Sequence, residues 1–228
     1  MKRIDMEAAI FLTCGLAMAC SVPAVEQGHI GGGLQTNEEE GLVLHVLAPD
    51  HTGFTLDAQP SLYWYISKTT ANPIMFTLTV RTPAGREAIL GKPLDPPIQP
   101  GVQQIRLKDY GLNLELGVQY MWFVWIMMGP EPSSKNIVAS GLIERIPFSF
   151  LLPHPPRIMS CSDYQGSWAA ACFSEAANRY AEVGIWYDAI TSISEAIEKN
   201  PADPILRKKR AFLLEQIGLK EVAKYDNP

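Results

Sequence analysis

Apolar and polar residues alternate with a period of two along much of the first two thirds of the chain, the pattern of strands that lay one face on a core. Leu42, Leu44 and Val46 alternate with Val43, His45 and Leu47, and Leu62, Trp64 and Ile66 alternate with Tyr63 and Tyr65. The cleanest case sets Ile74, Phe76, Leu78 and Val80 inward against Met75, Thr77, Thr79 and Arg81. Shorter runs through Glu87 to Leu90 and Gly101 to Leu107, and a last one from Ile137 to Ile146, complete the set. Asp50-His51-Thr52-Gly53 and Thr82-Pro83-Ala84-Gly85 carry the residues that turns need. Pro93 to Pro100 holds too many prolines to donate the ladder bonds of a central strand, so it predicts a crossover between sheets.

The run from Tyr120 to Met128 departs from this rule. Tyr120, Trp122, Val124 and Ile126 form one face, yet Met121, Phe123, Trp125 and Met127 on the other are no more polar. Upstream, Leu114-Glu115-Leu116-Gly117-Val118-Gln119-Tyr120 has the form of a tyrosine corner, in which the Tyr120 hydroxyl ties the approach loop to a central strand of an immunoglobulin-like sandwich. Trp64 fits the core tryptophan of such a fold. One side of an antiparallel sheet normally meets water, so something has to cover the second apolar face. If the strand lies beside Leu62 to Ile66, then Tyr63, Tyr65, Phe123 and Trp125 form one aromatic patch, which left open would mark an interaction site.

Beyond Pro147 the period changes. Residues 148–166 contain Pro153, Pro155 and Pro156 and predict a stiff connector. In residues 167–225, Phe173, Ala177, Tyr180, Gly184, Ala189, Ile193, Ala196 and Pro201 fall at the positions that define a tetratricopeptide helix pair. Ala211, Gly218 and Ala223 continue the register, giving about one and a half repeats. Roughly three repeats are needed for independent stability, so the simplest neighbour is the sandwich. The expected fold is therefore mostly β with C-terminal α: an immunoglobulin-like antiparallel sandwich over 41–147, with the helices packed on its Tyr63, Phe123 and Trp125 face. Trp168 and Trp186 are the candidate anchors. Pairing with another chain that carries similar repeats is the alternative.

The amino terminus sets the expected compartment. Lys2 and Arg3 precede an apolar run from Ala8 to Ala19 followed by small residues, the plan of a secretory signal peptide. Residues 1–24 are expected to be the leader, cut after Val22-Pro23-Ala24; cutting after Ala17-Met18-Ala19, or lipidation of Cys20 with a membrane anchor, is the alternative. Asp5 and Glu7 fit a positive leader poorly, which leaves Met6 open as the start. Residues 25–40, with Gly31-Gly32-Gly33 and Glu38-Glu39-Glu40, read as a flexible linker. In an oxidising compartment Cys161 and Cys172 are a candidate disulfide, and two thiols without a nearby histidine fall short of a metal site.

An apolar fraction of 47% makes a folded core the expectation, and the net charge of -5 gives no reason to expect nucleic acid as a partner. Arg207-Lys208-Lys209-Arg210 reads as the solvated face of a helix. Candidate chemistry is thin. His45 and His51 with Asp50 have no nucleophile or third group nearby in sequence, so an edge-strand and a turn histidine are expected. Glu144 and Arg145 read as a surface ion pair at a strand end. With no nucleophile elbow, phosphate loop or ligand cluster, no enzyme and no cofactor are expected.

Several segments together resemble the bacterial family called domain of unknown function 928: Gly41-Leu42-Val43-Leu44, Pro60-Ser61-Leu62-Tyr63-Trp64-Tyr65, Gly117-Val118-Gln119-Tyr120-Met121-Trp122-Phe123 and Ile143-Glu144-Arg145-Ile146. The likeness extends into the helical end around Ala181 to Ala189. It implies the architecture above and an envelope location, and supplies no activity. The resulting expectation is a periplasmic or secreted binding or assembly protein with a protein partner. A sandwich that binds glycan or lipid through exposed aromatics is the alternative.

Overall fold

In the computed structural model the described residues are 35–37, 41–129, 136–151, 160–161 and 163–227. The expected leader, Cys20, most of the linker and most of the proline-rich connector lie outside them. The strands are β1 (Gln35–Asn37), β2 (Leu42–Val46), β3 (Gly53–Thr55), β4 (Ser61–Ile66), β5 (Ile74–Thr82), β6 (Gly85–Leu94), β7 (Gly101–Arg106), β8 (Gln119–Ile126) and β9 (Ile137–Arg145). The helices are α1 (Gly166–Glu182), α2 (Trp186–Lys199), α3 (Pro204–Gln216) and α4 (Lys220–Asp226).

The strands form two sheets, in the orders β1-β2-β4-β7 and β3-β9-β8-β5-β6. Period-two alternation decides which side chains meet between them. Leu42, Leu44 and Val46 from β2, Leu62, Trp64 and Ile66 from β4, Ile74, Phe76 and Leu78 from β5, and Tyr120, Trp122, Val124 and Ile126 from β8 are all buried in one core. The four helices follow and share that core through Trp186, Tyr187 and their neighbours. The architecture is thus a β-sandwich with C-terminal helices docked on it.

Four details differ from the sequence expectation. First, Gln35–Asn37 is not linker but an edge strand, with Gln35 opposite Leu44 and Asn37 opposite Leu42; its bonds are backbone bonds, which leave no apolar period to read. Second, β3 runs parallel to β9, so the sheets are not wholly antiparallel. Third, β6 extends beyond Leu90 through Pro93 to Leu94. It is the last strand of its sheet, and an edge tolerates the donor that proline lacks.

The fourth difference matters most. β4 pairs with β2 and β7, whereas β8 pairs with β5 and β9, so Leu62 to Ile66 and Tyr120 to Ile126 lie in opposite sheets. Alternation specifies which face a side chain occupies but not which strand lies beside it. The four-membered aromatic patch is therefore not formed. Tyr63 and Tyr65 face outward from one sheet, and Phe123 and Trp125 from the other.

Candidate functional site

The helices meet the sandwich chiefly through α2, which packs on β3 and β4. Its first three residues each make a polar link. Trp186 is buried and its Nε1 donates to the Leu47 carbonyl at 2.9 Å. Tyr187, 1% exposed, reaches into the five-stranded sheet: its hydroxyl accepts from Trp122 Nε1 and donates to the Leu142 carbonyl, both at 2.9 Å. Two glycines make room for this arrangement. A Cβ on Gly53 would lie 2.7 Å from the Tyr187 ring, and one on Gly141, opposite Trp122 in the ladder, 2.8 Å from the Trp122 indole nitrogen.

Asp188 completes the clasp by accepting from the Leu56 amide at 3.2 Å. Burial pushes its carboxyl up to about 7, an effect that the Thr55 hydroxyl and the Leu56 amide oppose and Asp57 reinforces. On the far side of Leu56, Arg145 donates to the carbonyls of Leu56 and Leu114 at 3.4 and 3.2 Å. Arg145 is therefore a staple across loops rather than half of an ion pair with Glu144. Close by, the Tyr120 hydroxyl accepts from the Glu115 amide at 3.1 Å.

The cover expected over the second face of β8 lies elsewhere. α2 and α4 cover the outer face of β4: Tyr65 meets Tyr225 with ring centroids 5.2 Å apart. Tyr63 lies near Glu195 and Glu198, and burial with these carboxylates pushes its phenol up to about 12. On the other sheet Phe123 is buried with Thr77 and Ser140 on its flanking strands, and its ring centroid is 5.7 Å from that of Trp125. Of the four expected patch rings only Trp125 is not buried. Trp186 is an anchor; Trp168 is not, being 76% exposed on α1.

Cys161 and Cys172 form a disulfide that ties the segment before α1 to that helix. The basic run on α3 is not a uniformly solvated face. Arg210 is buried and grips Asp226 of α4 in two bonds of 2.6 and 2.7 Å, with a third to Ser194 of α2 at 3.2 Å. A charge placed there needs such partners, because an unpaired buried ion is costly. His45 is buried opposite Tyr65, and His51 bonds Asp50 in an exposed turn, so the two histidines serve different places.

Two recesses stay open among the described residues: one of about 310 Å³ lined by Tyr164, Trp168, Cys172 and Arg179, and a groove of about 490 Å³ between α1 and α3. Asn178 and Glu182 line it from α1, and Ile205, Lys208 and Phe212 from α3. Ile205 and Phe212 are 60% and 61% exposed, unusual for large apolar side chains on a helix that already buries Leu206, Leu213 and Leu214. Their spacing of seven residues was visible in the sequence, but only the helix pair shows that they face a concavity. Among the described residues no three His, Cys, Asp or Glu side chains gather as metal ligands, and no helix is long and apolar enough to cross a membrane. The groove offers apolar contact, two lysines, one carboxylate and two side-chain amides.

Comparison with known proteins adds one firm result. No curated protein matches the sequence. Among solved structures, a multi-domain immunophilin from Arabidopsis thaliana is similar at 6% identity, covering 88% of this chain and 97% of its own, with a TM-score of 0.25, too low to bear on fold or function. Residues 27–226, nearly the whole chain, match the family described as Domain of Unknown Function (DUF928), and the chain belongs to that family.

Proposed function

We propose that this chain is an exported, non-enzymatic binding or assembly protein of the cell envelope, and that it holds a protein partner in the groove between α1 and α3. The observation that carries the reading is the pair of exposed side chains Ile205 and Phe212 in a concave surface, on a helix that also buries Leu206, Leu213 and Leu214. Large apolar side chains left in contact with water around a recess are the usual sign of an interaction site. The Cys161–Cys172 disulfide supports export, since such bonds persist in oxidising compartments. The glycan or lipid alternative was built on Tyr63, Tyr65, Phe123 and Trp125, of which three are buried, and no observation favours it.

The test replaces Phe212 with a photo-crosslinking phenylalanine analogue in the full chain, in living cells, with Lys92 on the exposed edge strand β6 as the control position. The reading expects a discrete protein adduct from position 212 and not from 92. No adduct from 212, or the same adducts from both, overturns it. Alkylation of cysteines before and after reduction tests export separately: Cys161 and Cys172 react only after reduction if the chain leaves the cytoplasm.

A further inference from the structure

One row of side chains on α1 belongs neither to the core nor to the groove, and it complements itself when the helix is turned end over end. We infer that this row is a self-association surface, on which α1 packs antiparallel against α1 of a second copy of this chain. Trp168, Cys172, Glu175 and Arg179 are spaced by four, three and four residues, the spacing of a coiled-coil seam. The buried residues of α1 are Ala169, Ala170, Ser174 and Ala177, and none of them falls in that row. Trp168 is 76% exposed, an unusual place for the largest side chain of the helix. The recess of about 310 Å³ runs along the same row, and Tyr164, 42% exposed, lines it together with Trp168.

The order of the row selects a second copy as its occupant. It carries a ring at one end and a guanidinium at the other, eleven residues or about 16.5 Å apart. A helix that satisfies both ends has to carry the same two groups, at the same separation, in reverse. A second α1 does so by construction, because a twofold contact sets each residue against its counterpart twice. Turned about a point between Phe173 and Ser174, Trp168 lies level with the second copy's Arg179, and Cys172 level with its Glu175. The Arg179 guanidinium is already held, its Nε 3.0 Å from the Glu175 carboxylate, so a cation is in place for the face of the opposing indole. Parallel pairing would instead set Arg179 against Arg179 and Glu175 against Glu175, and like charges repel. Ala171 and Ala176 flank the seam and let the two helix axes approach. The Cys161–Cys172 disulfide holds the preceding segment against α1, which keeps Tyr164 beside the seam before any partner arrives and lowers the ordering cost of association. About three turns of paired helix bury less than the roughly 1,600 Å² of a standard interface, so the dimer is weak and reversible.

The experiment is sedimentation equilibrium of the full chain, disulfide intact, from about 1 to about 300 μM, with an expected monomer–dimer dissociation constant on the order of 10–100 μM. Arg179→Glu and Trp168→Lys are each expected to weaken the dimer at least about tenfold, since the first removes the cation from both indoles and the second sets two cations together twice. An equimolar mixture of the two variants is expected to recover dimer, because one layer regains Trp168 against Arg179 and the other pairs the introduced lysine with the introduced glutamate. That recovery also shows that both variants fold, as does an unchanged melting temperature. Direction is read by spin labels on Glu182→Cys, whose separation in the antiparallel pair is about 25 Å or more, against about 10 Å in a parallel one. A chain that stays monomeric to about 300 μM, a dimer that survives both substitutions, a mixture that recovers nothing, or labels about 10 Å apart overturns the inference.

Discussion

α2 touches the sandwich at both ends, and the two ends are made differently. At its start Trp186, Tyr187 and Asp188 bond into the sandwich, where Tyr187 is 1% exposed and its hydroxyl joins Trp122 to Leu142. Near its finish Glu198 accepts from Gln104 at 2.9 Å and from Arg106 at 3.2 Å, with Arg106 and Glu198 side chains 32% and 46% exposed. The two ends differ in more than the number of their polar links. A buried donor or acceptor deprived of its partner has no water to turn to, whereas an exposed one has. The first end therefore ought to govern whether the helices stay docked, and the second only their register.

The largest expected effect is at Tyr187. Tyr187→Ala empties a site packed against Gly53 and Trp122 and is expected to destabilise by about 3–5 kcal/mol, read from urea unfolding. Tyr187→Phe keeps the ring and removes the hydroxyl, which strands Trp122 Nε1 and one acceptor site on Leu142. An expected loss of about 1–3 kcal/mol follows. A neutral Tyr187→Phe would mean that the two buried bonds contribute nothing beyond the ring, and the contrast between the two ends would collapse.

Parts of this joint could be read in the chain and parts could not. The alternation of Leu42, Leu44 and Val46, or of Ile74, Phe76 and Leu78, gives the inward faces directly, because a strand's side-chain period is fixed by its backbone. The spacing of Ala177, Gly184, Ala189 and Ala196 likewise leads to α1 and α2, since small residues recur where helices touch. Strand neighbours are not local: nothing in Leu62 to Ile66 says that it lies with β2 and β7 rather than with β8. Trp168 and Trp186 are alike as residues, and only the direction of their helices separates an exposed ring from an anchor. Arg210 shows the same limit, for its burial depends on Asp226 sixteen positions away. The β3 strand, three residues long, is too short for any period to register.

A smaller effect tests the buried end by pH. Burial raises the Asp188 carboxyl to about 7 from an ordinary value of 3.8, with Asp57 beside it; Tyr180, itself pushed up to about 12 by burial and these two carboxylates, stays neutral throughout. The folded protein therefore keeps the proton to about pH 7 while the unfolded chain releases it near 3.8. Between those values the folded state binds more protons, so this group's contribution is full in acid and is lost as pH rises towards 7. Set against the helix N-terminus, which favours the carboxylate, the expected loss is about 1–2 kcal/mol. Asp188→Asn should flatten that slope of stability against pH; a slope unchanged in the variant assigns it to other groups.

The smallest effect is expected at the exposed end. Glu198→Ala removes the acceptor for Gln104 and Arg106, yet both side chains remain within reach of water, so the loss should be under about 1 kcal/mol and should shrink further in high salt. Glu195, whose carboxyl is raised by burial and then by Glu198 itself, gains from the removal of its neighbour and offsets part of the loss. A Glu198→Ala variant as unstable as Tyr187→Phe would show that the outer link is shielded from solvent in solution. In that case α2 would be held equally along its length, and docking could not be attributed to the three residues at its start.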